Sequence, residues 1–167
     1  MVREVVDLRY AAASHRVRGK GHMASIRDFQ PEDVDELVAI LKANQQYGHP
    51  DTDGPEAMLR VRDCSAAEFL VAEEQGQCVG LIRGAYDGSR AFIYLASVEP
   101  SHQRRGIGRA LVKEIARRFH DQGAKQLSVI VPGDSEFWKR LGFLQTTRVM
   151  QAYPIDNVLG KKGSQSD

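Results

Sequence analysis

Residues 68–98 constrain the fold more than any other stretch. Three β-rich runs follow one another there, "EFLVAEEQ" (68–75), "QCVGLIRGAY" (77–86) and "AFIYLASV" (91–98). A tight Gln75-Gly76 turn joins the first two, and "YDGSR", with its Asp87-Gly88 pair, joins the second to the third. Asp-Gly between apolar runs is a strong hairpin signal, because both residues tolerate the positive φ that such turns require. Three antiparallel strands in a row are therefore expected. A long helix follows from Gly106 to about Gln122, with Ile107, Leu111, Ile115 and Phe119 along one stripe and Gly123 as its stop.

The flanking segments extend this pattern. "ASIRDF" (24–29) reads as a short strand, and Pro31, Glu32 and Asp33 suit a helix start. Val34, Leu37, Val38 and Leu41 carry that helix to about Tyr47. "GHPDTDGP" (48–55) is expected as a loop and "EAMLRVRD" as a second helix. Beyond Gly123 come a buried-type strand "KQLSVIV" (125–131), a short helix in "DSEFWKRLGF" and a closing strand "LQTTRVMQAY". The order is βα(α)βββαβαβ, an α+β fold whose mixed, mainly antiparallel sheet is flanked by helices.

With 167 residues the chain suits one domain. Residues 1–22 hold five Arg/Lys against two acids and lack the apolar core of a signal peptide. They read as a poorly ordered extension ahead of a domain spanning 23–153, with 154–167 as a loose tail. A net charge of +1 gives no field for nucleic acid or membrane, and no apolar run approaches the roughly 20 residues of a bilayer span. Two cysteines, Cys64 and Cys78, fit a reduced cytoplasmic protein. The five histidines show no ligand spacing, so no metal is expected.

The helix start at "QRRGIGRAL" carries the chemistry. A Walker loop needs a Gly-Lys-Ser/Thr end that is missing here, and a dinucleotide fingerprint needs glycine where Leu111 stands. A pyrophosphate turn remains, in which N–H groups from 104 to 109 point at an anion beside the positive helix end. Glycine at 106 and 108 would remove the Cβ atoms that block a close approach.

Gln103-x-x-Gly106-x-Gly108 resembles the acetyl-coenzyme A signature of the Gcn5-related N-acetyltransferase (GNAT) family. The resemblance spans about 24–153 and includes "LASVEPSHQRRGIG" and "FWKRLGF", the latter similar to a family pattern ending in Leu-Gly-Phe. It implies the acyl-CoA N-acyltransferase fold, with acetyl-CoA as acyl donor held by Gln103, Arg104, Arg105, Gly106, Ile107, Gly108 and Arg109. It also implies main-chain contacts from Ala96 and Val98 to the pantetheine arm, where two strands splay apart. Trp138 stands where the family often has a tyrosine acting as general acid. Indole cannot release its proton, so Trp138 is expected to pack against the arm or the core. Lys139 and Arg140 beside it read as solvated charge. Homodimers are common in the family.

The resemblance implies transfer of acetyl to a primary amine, with Val98 N–H facing the thioester oxygen. A non-catalytic acyl-CoA-binding module is the alternative. Many relatives carry a carboxylate on the strand at 91–98, but Tyr94 is the one ionisable side chain there. Tyr94 is thus the candidate base, ahead of Glu99, with Glu73, Glu74 and Asp63 no better placed. His49, Asp51 and Asp53 in the 48–55 loop are candidate acceptor contacts. Neutralising a lysine of pKa about 10.4 at pH 7 costs about 4.6 kcal/mol, and neutralising an α-amine only about 1–1.4 kcal/mol. A site without a strong base therefore suits an amine of low pKa, carried by a small molecule or a peptide.

Overall fold

The structure is a computed structural model, and it describes residues 15–18, 23–131 and 135–145. The chain divides into two compact units, residues 1–131 and 132–167. The closing strand expected from Leu144 onward lies almost wholly outside the described residues, as do the tail and most of residues 1–22.

The first unit is built on a six-stranded sheet. Its strands are β1 (His15–Arg18), β2 (Met23–Asp28), β3 (Ala67–Glu74), β4 (Gln77–Tyr86), β5 (Ala91–Val98) and β6 (Leu127–Val129), which neighbour one another in that order. All pairs are antiparallel except β5–β6. β1 lies inside the stretch read as an extension, and it pairs His15–Arg18 with Met23–Ile26.

Helices cover both faces. Val34–Ala43 forms α1, Pro50–Asp53 α2 and Pro55–Arg62 α3. Phe29, Leu37, Leu41, Met58, Phe69, Val71 and Leu81 close one core there, with the Phe29 and Phe69 rings stacked 4.3 Å apart. α4 (Ile107–Asp121) covers the opposite face, its Leu111 and Phe119 lying over Gly80 and Gly84. Burial on both sides explains why β3 and β4 read as nearly continuous apolar runs. No helix among the described residues is long and apolar enough to cross a membrane.

α1 ends at Ala43, four residues before the expected Tyr47. Gln45 takes the left-handed conformation (φ 56°), and Gln46 N–H and Gln45 N–H bond back to Leu41 O and Lys42 O. That is a Schellman-type stop without the usual glycine. The expected loop 48–55 contains α2, which Pro50 opens. β6 is shorter than the expected 125–131.

Candidate functional site

The β4–β5 register shifts by one residue between Arg83 and Gly84. A Cβ at Gly84 would run into the Phe92 carbonyl, so this bulge requires glycine. Beyond the bulge β5 leaves β6, which pairs only with Ala91–Ile93. Among the described residues, 94–98 thus keep one open edge.

The direction of that edge follows from the ladder. Glu99 N–H donates to Val79 O at 2.9 Å, and Ser97 lies opposite Leu81, Ala96 opposite Ile82. Opposed residues in an antiparallel pair alternately exchange two main-chain bonds and none. Ser97 and Leu95 therefore bond to β4, whereas Ala96 and Val98 turn their N–H and C=O groups to the open edge. Gln46 Nε2 reaches Ala96 O at 3.1 Å, and Asn44 Nδ2 and Gln103 Nε2 reach Val98 O at 2.9 and 3.0 Å. Neither N–H has an acceptor among the described residues.

The turn after β5 continues this line of donors. Glu99 accepts from Ser101 N–H and opens the short 3-10 turn Pro100–His102. Arg104 (φ 62°) and Gly106 (φ 91°) are both left-handed, and Ala110 N–H is the first of α4 to bond back, to Gly106 O. The N–H groups of 104–109 have no acceptor among the described residues, an arrangement suited to an anion. Arg104 and Arg109 are exposed. Arg105 instead pairs with Glu74 at 2.9 Å, a carboxylate that is 8% exposed. His102 Nε2 meets the same carboxylate at 3.2 Å, and its Nδ1 meets Glu99 at 2.7 Å. Arg105 thus anchors the turn to the end of β3.

The candidate bases divide clearly. Hydrogen bonds from His102 and Ser101 hold the Glu99 carboxyl below its ordinary value. Glu73 pairs with Arg27 at 2.7 Å and Asp63 with Arg62 at 2.8 Å. Tyr94 is 54% exposed, its ring packed alongside Phe92. Asp53 is bound to Arg83 at 3.1 Å.

The model of the Acetyltransferase (GNAT) family matches residues 34–143 of the chain. The chain belongs to this family. Solved structures share the acetyltransferase fold at low identity. Glucosamine-6-phosphate N-acetyltransferase from Arabidopsis thaliana is 14% identical with a TM-score of 0.67, covering 78% of this chain and 98% of its own. Ard1 from Thermoplasma volcanium is 24% identical with a TM-score of 0.65, over 74% and 84%. The aminoglycoside N-acetyltransferase AAC(6')-Iy, solved in complex with CoA, is 16% identical with a TM-score of 0.66, over 83% and 99%.

The Leu-Gly-Phe of this acetyltransferase has a local explanation in the second unit. α5 (Glu136–Arg140) ends with Gly142 at φ 94°, Gly142 N–H on Lys139 O and Phe143 N–H on Trp138 O. These are the two bonds of a Schellman stop, and its usual apolar contact is present as Phe143 set edge-on to Trp138 at 5.2 Å. Trp138 also meets Phe137 edge-on at 5.1 Å. Lys139 pairs with Glu136 at 3.3 Å.

Sequence reasoning missed Asn44 and Gln46. The signal for them was the carboxamide run Asn44-Gln45-Gln46, directly where the apolar stripe of α1 stops.

Proposed function

We propose that this acetyltransferase moves an acetyl group from acetyl-CoA to a primary amine by direct attack in a ternary complex. The observation that carries the reading is the junction of two donor sets. The outward N–H groups of Ala96 and Val98 adjoin the open N–H groups of 104–109, and Gln103 joins the two by its 3.0 Å bond to Val98 O.

In this reading the turn 103–109 holds the pyrophosphate, with Arg104 and Arg109 adding charge and Arg105 holding the turn in shape. Ala96 and Val98 bind the pantetheine arm along the edge of β5. Val98 N–H faces the thioester oxygen, where negative charge grows as the amine attacks. The N–C bond forms, the C–S bond breaks, the amine gives up a proton and the thiolate leaves. Thiolates of pKa about 8.5 leave readily, so the departure does not depend on Trp138. Tyr94 is the candidate on β5 for receiving the amine proton, directly or through water. Unchanged kcat in Tyr94→Phe would assign it to packing instead.

The acceptor is proposed to be an amine of low pKa on a small molecule. The solved relatives named for aminoglycosides and glucosamine 6-phosphate support a small-molecule class. Thiol release from acetyl-CoA across a panel of amines tests the reading. Amine-dependent release is expected, with weakly basic amines ahead of lysine side chains at pH 7. Binding of acetyl-CoA without release for any amine would favour the non-catalytic acyl-CoA-binding module.

A further inference from the structure

We infer that Asn44 and Gln46 form a two-point clasp on the edge of β5. Asn44 is a positioning residue that holds the edge for the acyl donor, and Gln46 holds a hydrogen-bond place that the donor's arm takes over. The inference rests on the proposed binding of the arm along β5.

The clasp is built by the end of α1. Gln45 stands in the left-handed region at φ 56°, which costs a non-glycine residue free energy and persists where surrounding contacts demand it. The bend sends the side chains on either side of Gln45 to the same strand. Asn44 reaches Val98 O and Gln46 reaches Ala96 O. Those carbonyls are two residues apart, so they are successive rungs of one edge. A carboxamide N–H is chemically the same donor as a peptide N–H. An extended chain bearing amides therefore competes for the same two carbonyls.

The two carboxamides differ in how firmly they are held. Asn44 is half-buried, and its Nδ2 also contacts Ser97 Oγ at 2.9 Å and Ile40 O at 3.1 Å. Its Oδ1 accepts from Gln103 Nε2 at 2.9 Å, which links α1, β5 and the turn before α4. Gln46 is exposed, and 3.1 Å to Ala96 O is its one side-chain hydrogen bond among the described residues. Competition for the edge thus displaces Gln46 and leaves Asn44. Removing the competitor strengthens donor binding, and removing the holder weakens it.

Calorimetric titration with CoA and with 3′-phosphoadenosine 5′-diphosphate, which lacks the pantetheine arm, tests these opposite signs. Gln46→Ala is expected to bind CoA about threefold tighter, the scale of one net hydrogen bond between neutral groups, with nucleotide binding unchanged. Asn44→Ala is expected to weaken CoA about tenfold and to raise KM for acetyl-CoA more than it lowers kcat. It should add little in a Gln103→Ala background, since part of its effect runs through Gln103. Weaker or unchanged CoA binding by Gln46→Ala overturns the clasp, and so does an equal change for both ligands. Gln46 is exposed, so this variant decides the matter even if Asn44→Ala does not fold. Failure of the unsubstituted protein to bind CoA at all would overturn the donor reading and the clasp with it, whereas normal CoA binding without a Gln46 effect removes the clasp alone.

Discussion

Arg83 on β4 donates to the carboxylate of Asp53 at the end of α2 across 3.1 Å, and the two side chains are only 12% and 15% exposed. The same guanidinium reaches Thr52 O at 2.9 Å. The second Asp53 oxygen accepts from Gly48 N–H at 3.1 Å, His49 N–H at 3.2 Å and Thr52 Oγ1 at 3.1 Å. Burial pushes the Arg83 guanidinium below its ordinary value, and the Asp53 charge offsets part of that. Asp53 is therefore the anchor of the 48–54 segment, and its hydrogen-bonding capacity is engaged within the fold.

Asp53→Ala should lower unfolding free energy by about 2–4 kcal/mol, because it leaves a buried guanidinium without its counter-charge. Asp53→Asn keeps an acceptor for the loop N–H groups and should lose less. Urea denaturation midpoints at constant m-value measure both.

Asp33 sets an acid limit on stability. Its carboxylate is bracketed by Arg27 at 2.7 and 2.8 Å and accepts from Gln30 N–H at 2.7 Å. Burial pushes the Asp33 carboxyl up, but the hydrogen bonds from Arg27 and Gln30 and the Arg27 charge outweigh it, and the net shift is downward. A carboxyl that is more acidic in the folded state stabilises fully above its unfolded value of about 3.9. That contribution disappears as pH falls through the depressed folded value. Unfolding free energy should therefore decline on acidification below about pH 4. Asp33→Asn should flatten that decline and lose roughly 2 kcal/mol at neutral pH, where Glu73 is the one carboxylate partner left to Arg27 among the described residues.

Local signals carried the middle of the fold. β4 and β5 fall on the runs 77–86 and 91–98 because their ends are turn residues with positive φ, Gly76 and Gly88. The end of α1 was not legible, since no glycine or proline marks it and Gln45 adopts the αL stop under tertiary control. α2 has four residues, too few for a period to register. β6 pairs with Ala91–Ile93 and stops just before Tyr94, the residue of β5 that the register shift at Gly84 skips. At the site, the glycine turn was readable because φ and close approach act within a few residues. Arg105–Glu74 and Gln103–Asn44 join residues 31 and 59 apart, and no local pattern records them.

The two thiols should behave differently. Cys64 is exposed and Cys78 buried. Burial pushes the Cys78 thiol up to about 12, with the Asp33 and Glu36 charges adding to it. Only the thiolate reacts readily, so Cys78 is protected both by access and by protonation. Ellman titration at pH 8 should find one fast thiol in the native protein and two after unfolding. Two fast native thiols would contradict the placement of Cys78 beside Asp33.

Gly106 and Gly123 separate what a glycine does for folding from what it does for binding. Both have positive φ, 91° and 107°, and both flank α4. A Cβ at Gly106 meets nothing within 4 Å, and one at Gly123 meets only the Tyr86 hydroxyl at 3.8 Å, an ordinary contact. Each replacement by alanine should thus cost about 1–2 kcal/mol of stability, the penalty of a left-handed L-residue. Their effects on acetyl-CoA should part. A methyl group at 106 would project into open space on the turn that carries the unbonded N–H groups of 104–109, space that the proposed pyrophosphate would need to reach the backbone. Gly106→Ala should raise KM for acetyl-CoA at least about tenfold, as expected when several charge-assisted bonds are lengthened together. Gly123→Ala, at the far end of the helix, should leave KM unchanged at equal destabilisation. Equal rises in KM would mean that the helix, and not the turn, governs donor binding.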